Sequence, residues 1–157
     1  MKHIIQVLVE NKFGILARVA SLFSARGYNI DSLNVGETQD ATISAMTIVV
    51  DAPDERILEQ IKKQLNKLID VIEVVDFTRR EHIERELIFV KISREAKEEG
   101  VISKLIKDNK LSVVANGGSD CILLACVDRQ SEEEILRELK KIGIKELVRT
   151  GKAAIRK

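Results

Sequence analysis

The chain has 157 residues, of which 45% are hydrophobic and 32% charged, as in an ordinary globular protein. Its 26 Lys and Arg nearly balance its 25 Asp and Glu, so no global positive field attracts nucleic acid or anionic lipid. Aromatic residues make up 3%, too few for the stacking surfaces of single-stranded nucleic-acid binders. The composition predicts an aliphatic core and excludes a nucleic-acid partner.

The opening segment, MKHIIQVLVENK, is interrupted by charge too soon for a signal peptide. No apolar run along the chain approaches the roughly 20 residues of a membrane-spanning helix. We therefore expect a cytoplasmic protein without a membrane partner.

The first half of the chain predicts the element order β-α-β-β-α-β. Its elements are a strand at 3–10, a helix at 14–26, strands at 30–38 and 43–51, a helix signalled by Asp51 and Pro53, and a strand at 71–77. The first helix carries one apolar face, formed by Leu16, Val19, Ala20 and Phe23, and Gly27 is predicted to end it in the left-handed conformation. Two helices can cover only one face of a four-stranded antiparallel sheet, which predicts a ferredoxin-like sandwich.

The second half repeats this order after a charged connector at 78–86. Its elements are a strand at 86–93, a helix around 101–106, strands at 111–116 and 121–128 joined by a turn at Asn116-Gly117, a helix opened by a capping box from Ser131 to Glu134, and a strand at 144–148. The segments EQIKKQLNKL (59–68) and EEILRELKKI (133–142) are alike, which favours duplication over a chance likeness of amphipathic helices. The sequence predicts an α+β protein of tandem ferredoxin-like βαββαβ domains, residues 1–77 and 78–157.

Residues suited to metal binding or disulfide formation are few. Cys121 and Cys126 lie an odd number of positions apart in one predicted strand, so they point to opposite faces and are expected to be unbridged, buried thiols. His3 and His82 have no neighbouring His or Cys, so no metal site is predicted.

Catalytic motifs are also missing from the sequence: it has no nucleophile elbow, phosphate-binding loop, zinc-protease motif or dinucleotide fingerprint. Acylphosphatases share the predicted topology and use an arginine-containing loop after the first strand. Here that loop offers Lys12, and the first arginine is Arg18, already within the helix. We therefore predict no catalytic residues and disfavour a small phosphatase.

A binding site is predicted where the first strand meets the first helix. Gly14 lets a ligand approach the backbone, and the free amides of Gly14, Ile15 and Leu16 suit a carboxylate at the positive end of the helix dipole. Asn11 can donate or accept a hydrogen bond beside them. A turn glycine and a capping asparagine are the plainer interpretation of these two residues.

Asn29 is the second polar candidate, although alone it is more simply a turn residue before the second strand. The predicted helix separates it from Asn11 by roughly 20 Å at 1.5 Å per residue. The two side chains can meet at one small ligand only if a second copy packs antiparallel, helix beside helix. The sequence thus predicts a homodimer with two equal sites.

These segments resemble the acetolactate synthase small-subunit family, which begins with an ACT domain, a ferredoxin-like module that binds amino acids between subunits. The resemblance is carried by ENKFGILARVASLFSARGYNIDSL (10–33), MTIVV (46–50), LEQIKKQLNKLIDVIEVVD (58–76), EHIERELIFVKI (81–92) and VRTGKAAI (148–155). The middle of the second half is shorter than the family pattern.

The resemblance implies a regulatory subunit with no activity of its own. It implies a catalytic large-subunit partner that this chain activates and that alone would hold thiamine diphosphate, Mg and FAD. It also implies feedback inhibition by valine, or another branched-chain amino acid, in branched-chain amino acid biosynthesis. The implied effector contacts are Asn11, Gly14, Ile15, Leu16, Asn29 and Ile30. An amino-acid sensor of the ACT family that acts on a different partner is the alternative, and the sequence does not separate the two.

Overall fold

The computed structural model describes residues 2–95, 100–108 and 110–157. The chain divides into two compact units, residues 1–83 with 152–157, and residues 84–151. Each unit contains the predicted β-α-β-β-α-β order, which confirms the tandem ferredoxin-like fold. The predicted domain boundary between residues 77 and 78 stays a prediction.

The first unit is an antiparallel sheet of strand order β2-β3-β1-β4 with two helices packed on one face. Its elements are β1 (Lys2–Glu10), α1 (Ile15–Ser24), β2 (Ile30–Glu37), β3 (Ile43–Asp51), α2 (Glu55–Leu65) and β4 (Val71–Asp76). Burial alternates along β1, where Ile5, Val7 and Val9 are at most 1% exposed, because alternate side chains of a strand point to the same face. These residues pack against the buried stripes of both helices.

The two helices of the first unit begin differently. Asp54 precedes α2, and its side chain accepts a hydrogen bond of 3.0 Å from the backbone amide of Ile57. This is a standard N-terminal cap, which satisfies one of the amides that a helix start leaves unpaired. Gly14 precedes α1 in the left-handed conformation, with φ 83°, and no side chain caps that helix. After α1, Gly27 has φ 68°, as its predicted role at the helix end requires.

The second unit has the strand order β6-β7-β5-β8, which is the order of the first unit repeated. Its elements are β5 (His82–Ser93), α3 (Gly100–Lys107), β6 (Ser112–Gly117), β7 (Asp120–Val127), α4 (Arg129–Ile142) and β8 (Ile144–Arg149). The helices again pack on one face, over Ile88, Val90 and Ile92 of β5. A short ninth strand, β9 (Ala153–Arg156), belongs to the first unit and was not predicted from the sequence.

Two local predictions in the second unit were wrong. The hairpin turn lies at Gly118 and Ser119, where Gly118 has φ 61°, and the predicted turn residues Asn116 and Gly117 belong to β6. The strands pair for one more step than predicted, because Gly117 lies opposite Asp120. The turn therefore takes the second glycine of the pair, whose backbone adopts the positive φ.

The predicted capping box at Ser131 was also wrong. Asp128 is the capping residue of α4, and its carboxylate accepts a hydrogen bond of 2.9 Å from the backbone amide of Ser131. Ser131 lies inside the helix. The hydrogen bond from its backbone lowers the pKa of Asp128, because it favours the charged carboxylate.

The cysteines are unbridged, as predicted, with Cys121 buried in the core. Cys126 is exposed, so its assignment as a buried thiol was wrong. Across the described ranges, no helix is long and apolar enough to cross a membrane.

Candidate functional site

The start of α1 offers unpaired backbone donors. Within the part of the chain that the structure describes, the amides of Gly14 and Leu16 donate to no protein acceptor, and the amide of Ile15 reaches the Lys12 carbonyl at a long 3.5 Å. Arg18 is the first helical residue whose amide bonds back into the helix, to Gly14 at 3.0 Å. The amides predicted to receive a carboxylate are thus available, and the helix dipole favours a negative charge beside them.

Asn11 lies next to these amides and is held by the turn between β2 and β3. Its side-chain amide donates to Glu37 Oε1 at 3.0 Å and to the Ala41 carbonyl at 2.9 Å, and its backbone amide donates to Thr42 at 2.6 Å. Both side-chain N–H groups are therefore used within the chain. The Asn11 carbonyl oxygen remains as an acceptor, which suits a ligand ammonium rather than a ligand carboxylate.

Glu37 is a candidate that the sequence reasoning missed. Its carboxylate accepts from Asn11 at 3.0 Å and is exposed to solvent. A carboxylate beside unpaired amides gives the site one negative and one positive side, which matches the two charges of an amino acid. No sequence signal separates Glu37 from other strand-end carboxylates, because the contact depends on the sheet bringing the end of β2 to the end of β1.

The apolar candidates divide by burial. Ile15 is 3% exposed and its side chain lies in the core, so only its backbone can face a ligand. Leu16 is 44% exposed and Phe13 is completely exposed, so these two side chains form the apolar surface beside the helix start. Ile30 is partly buried against the core of the same unit.

Asn29 and Ile30 lie at the other end of the sheet from Asn11. Ile30 pairs with Val50 of β3, which in turn pairs with His3 near the start of β1, whereas Asn11 follows the end of β1. The ten residues of α1 separate the two regions by about 15 Å at 1.5 Å per residue. Asn29 donates to Asp31 Oδ1 at 2.8 Å. One copy of the chain therefore keeps the two polar candidates apart.

The cations near the loop after β1 have acidic partners. Lys12 donates to Glu10 at 2.6 Å, and this hydrogen bond, with the charge of Glu10, raises the pKa of Lys12. Arg18 forms an ion pair with Asp70. Both cations are engaged by carboxylates, an arrangement that does not favour the phosphatase alternative. Among the described residues, no group of three or more His, Cys, Asp or Glu side chains could hold a metal ion.

The fold and this junction define a class: a tandem ferredoxin-like protein whose first half presents available backbone amides and a carboxylate beside the start of a helix. The sequence agrees with this class in both halves. Residues 5–73 match the AHAS small subunit-like ACT domain, and residues 85–157 match the family described as the small subunit of acetolactate synthase.

Relatives match along nearly the whole chain. A probable acetolactate synthase small subunit of Archaeoglobus fulgidus is 43% identical over 155 residues, which cover 99% of this chain and 96% of the relative. The acetolactate synthase small subunit of Aquifex aeolicus is 40% identical and is covered over 81% of its length, against 99% of this chain. The crystal structure of the acetolactate synthase small subunit from Thermotoga maritima superimposes with a TM-score of 0.87 at 29% identity, covering 100% of this chain and 98% of that one.

The chain therefore belongs to the acetolactate synthase small-subunit family. This membership supports a regulatory subunit and implies a catalytic large subunit as its partner.

Proposed function

We propose that this chain activates a thiamine-diphosphate-dependent acetolactate synthase catalytic subunit and confers feedback inhibition by a branched-chain amino acid, valine first. The observation that carries the proposal is the uncapped start of α1 beside Asn11 and Glu37. Unpaired amides at Gly14 and Leu16 suit the α-carboxylate of the effector, while the oxygens of Asn11 and Glu37 suit its ammonium. The exposed side chain of Leu16 suits an aliphatic effector.

Asn29 and Ile30 would complete this site from a second copy of the chain. β2 is an edge strand, so its outer hydrogen-bonding groups can pair with another strand. If a two-fold axis passes the midpoint of β2, between Leu33 and Asn34, Ile30 of one copy lies opposite Glu37 of the other. Because Glu37 contacts Asn11, this pairing would bring the two polar candidates together and create two equal sites.

Effector binding is tested by calorimetric titration of the purified chain with valine, leucine and isoleucine. We expect at least one of them to bind, with one site per chain, and light scattering at micromolar concentration to show a dimer or larger assembly. A folded protein that binds none of the three amino acids would contradict the effector proposal. A chain that stays monomeric with and without effector would contradict the shared site.

The regulatory role is tested by reconstitution with the cognate catalytic subunit. The chain alone should form no acetolactate, the mixture should turn over faster than the catalytic subunit alone, and the effector should reverse part of that gain. Complex formation is measured in the same samples by analytical ultracentrifugation. An unchanged rate in a sample that contains the complex would show that the activating role is wrong.

A further inference from the structure

Residues Lys152–Arg156 form a strap across the face of the first sheet that is turned away from α1 and α2. From its first residue to its last, the strap contacts β2, β3, β1 and β4. Lys152 N–H donates to Ser32 Oγ at 3.2 Å, Ala154 N–H donates to Thr47 Oγ1 at 3.4 Å, Gln6 Nε2 donates to the Ala154 carbonyl at 2.9 Å, and Arg156 pairs with Glu73. The strap and all four strands belong to the first unit.

The strap is packed as well as hydrogen-bonded. Ala154 is 7% exposed and forms a buried cluster with Val75 and Phe77, against which Ile4 packs. Thr47, which accepts the hydrogen bond from Ala154, is 4% exposed. Loss of such a partner is unfavourable, because it leaves a buried polar group without a hydrogen bond. The strap is therefore held against the sheet both by apolar packing and by hydrogen bonds.

The first anchor of the strap lies beside the proposed effector site. Ser32, which accepts from Lys152, stands where the pairing of β2 with β3 shifts register after Ile30. A shift of this kind marks an irregularity where the ladder is interrupted. The position of Ser32 therefore depends on the same turn of chain that carries Asn29 and Ile30, so a ligand that holds this turn also holds the acceptor of the strap.

The preceding residues are anchored in the second unit. Gly151, immediately before the strap, donates to Glu86 Oε1 at 3.2 Å, and Thr150 N–H donates to the Leu87 carbonyl at 3.1 Å. These four residues belong to the second unit, and the chain enters the first unit at Lys152. Gly151 and Lys152 are consecutive in the chain but are held by different units, and Lys152 is held next to the proposed effector site.

We propose that the strap communicates effector binding at the start of β2 to the second unit, an inference that rests on the function proposed above. An effector that contacts Asn29 and Ile30 restrains Ser32 and so favours the attached strap over a displaced one. By linkage, the attached strap strengthens effector binding by the same factor. The contacts that set this coupling are Ser32, Thr47 and Gln6, none of which is assigned to the effector site.

The test compares strap attachment with effector binding in three proteins. The double variant Gln6→Leu/Thr47→Val removes two strap contacts with side chains of similar size. The control Gln130→Leu makes a matched change on the exposed surface of α4. Hydrogen exchange reports the amides of Lys152 and Ala154, which donate to Ser32 and Thr47. Calorimetry gives the affinity for valine, leucine and isoleucine, and the reconstituted enzyme gives the extent of inhibition.

In the wild type and in the Gln130→Leu control, bound effector should slow exchange of both strap amides by roughly five-fold or more, the lower end of typical coupling. In the double variant, the Ala154 amide loses its acceptor and should exchange rapidly with or without effector, and the effect of the effector on the Lys152 amide should shrink. Its effector affinity should fall by a similar factor, and saturating effector should inhibit the reconstituted enzyme less completely. The chain should stay folded, because the core between sheet and helices is unchanged.

The variant Ala154→Asp provides a second route, because it places a charge among Val75 and Phe77 and should displace the strap by itself. The inference would be overturned if bound effector did not change the exchange rates of the strap amides in the wild type. It would also be overturned by full effector affinity and full inhibition in a folded variant whose strap amides exchange rapidly. In either case the proposed function survives. If none of the three amino acids binds the wild type, the proposed function has failed, and the inference fails with it.

Discussion

The two sheets have the same strand order, but their outer faces differ. In the first sheet, Thr47 and Val75 on the face away from the helices are 4% and 2% exposed. In the second sheet, Leu87 and Phe89 alternate with core residues along β5, and Val148 of β8 pairs with Phe89; these three residues are 39%, 37% and 52% exposed. The comparison shows that the repeated pattern determines strand pairing and the helix-covered core, while the opposite face of each sheet has its own surroundings.

The helices of the chain also differ in how their first turns are capped. α2 and α4 occupy corresponding places in the two units, and Asp54 and Asp128 cap them with side-chain hydrogen bonds. α1 begins at Gly14 without a side-chain cap. The second helix of each unit thus satisfies an amide at its start with a carboxylate of the chain. The start of α1 has its amides available for a carboxylate from elsewhere, and this difference can be tested directly.

The largest effect is expected for Gly14→Asp, which places a carboxylate where that of the effector would bind. We expect effector affinity to fall by roughly 100-fold or more, equivalent to about 3 kcal/mol, through like-charge contact and lost hydrogen bonds. Gly14→Asn is the matched control, because it adds a neutral side chain at the same φ of 83° and should weaken binding far less. Unchanged affinity in folded Gly14→Asp protein, measured by calorimetry, would eliminate this site.

The next largest effect is expected for Asn29→Ala. The side chain of Asn29 in the second copy should pair with the polar end of the effector, so its removal should cost about 1–3 kcal/mol, a five- to 150-fold weakening. Asn66→Ala, which removes an exposed asparagine at the end of α2, is the control and should leave the affinity unchanged. Equal affinities in all three proteins would show that Asn29 makes no contact with the effector.

A third prediction uses equivalent positions on the two edge strands. Val35 of β2 pairs with Met46, and Val113 of β6 pairs with Leu123; both are surface-exposed, at 41% and 38%. Val35→Lys places a charge on the proposed dimer edge and should weaken dimerisation by about ten-fold or more, since lysine on an edge opposes strand pairing. Val113→Lys should leave the dimer intact. Analytical ultracentrifugation of both variants over a concentration series measures the difference in dimer affinity. Weaker dimerisation in Val113→Lys alone would move the interface to the second unit.

The smallest effect is expected for Asp54→Ala, which removes the cap of α2. The free energy of unfolding of the first unit should fall by about 1 kcal/mol, because one amide at the helix start loses its acceptor. Asp54→Asn keeps an acceptor oxygen and should be nearly neutral. Urea denaturation followed by circular dichroism measures both variants. A cost that is equal in Asp54→Ala and Asp54→Asn would mean that charge, rather than the hydrogen bond, stabilises this helix start.

The order of elements and most of the core could be predicted from the sequence, but the placement of Leu16 on the buried face of α1 was wrong, because it is 44% exposed. Period-two alternation in β1 and the apolar stripe of α1 are local patterns, and local patterns decide which face of an element is buried. The repeat of these patterns predicted two copies of one fold. The candidate residues Asn11 and Gly14 were found because they flank a helix start, a place whose unpaired amides can be predicted from chain order.

Contacts between residues distant in the chain were decided only by the tertiary structure. Glu37 reached the site because sheet register brings the end of β2 to Asn11, and the side chain of Ile15 turned into the core. The strap was missed because Ala154 and its neighbours carry no strong periodic pattern, and their partners Gln6 and Thr47 lie more than 100 positions away. Periodicity reports which side of an element is buried, whereas only the folded chain determines what covers it.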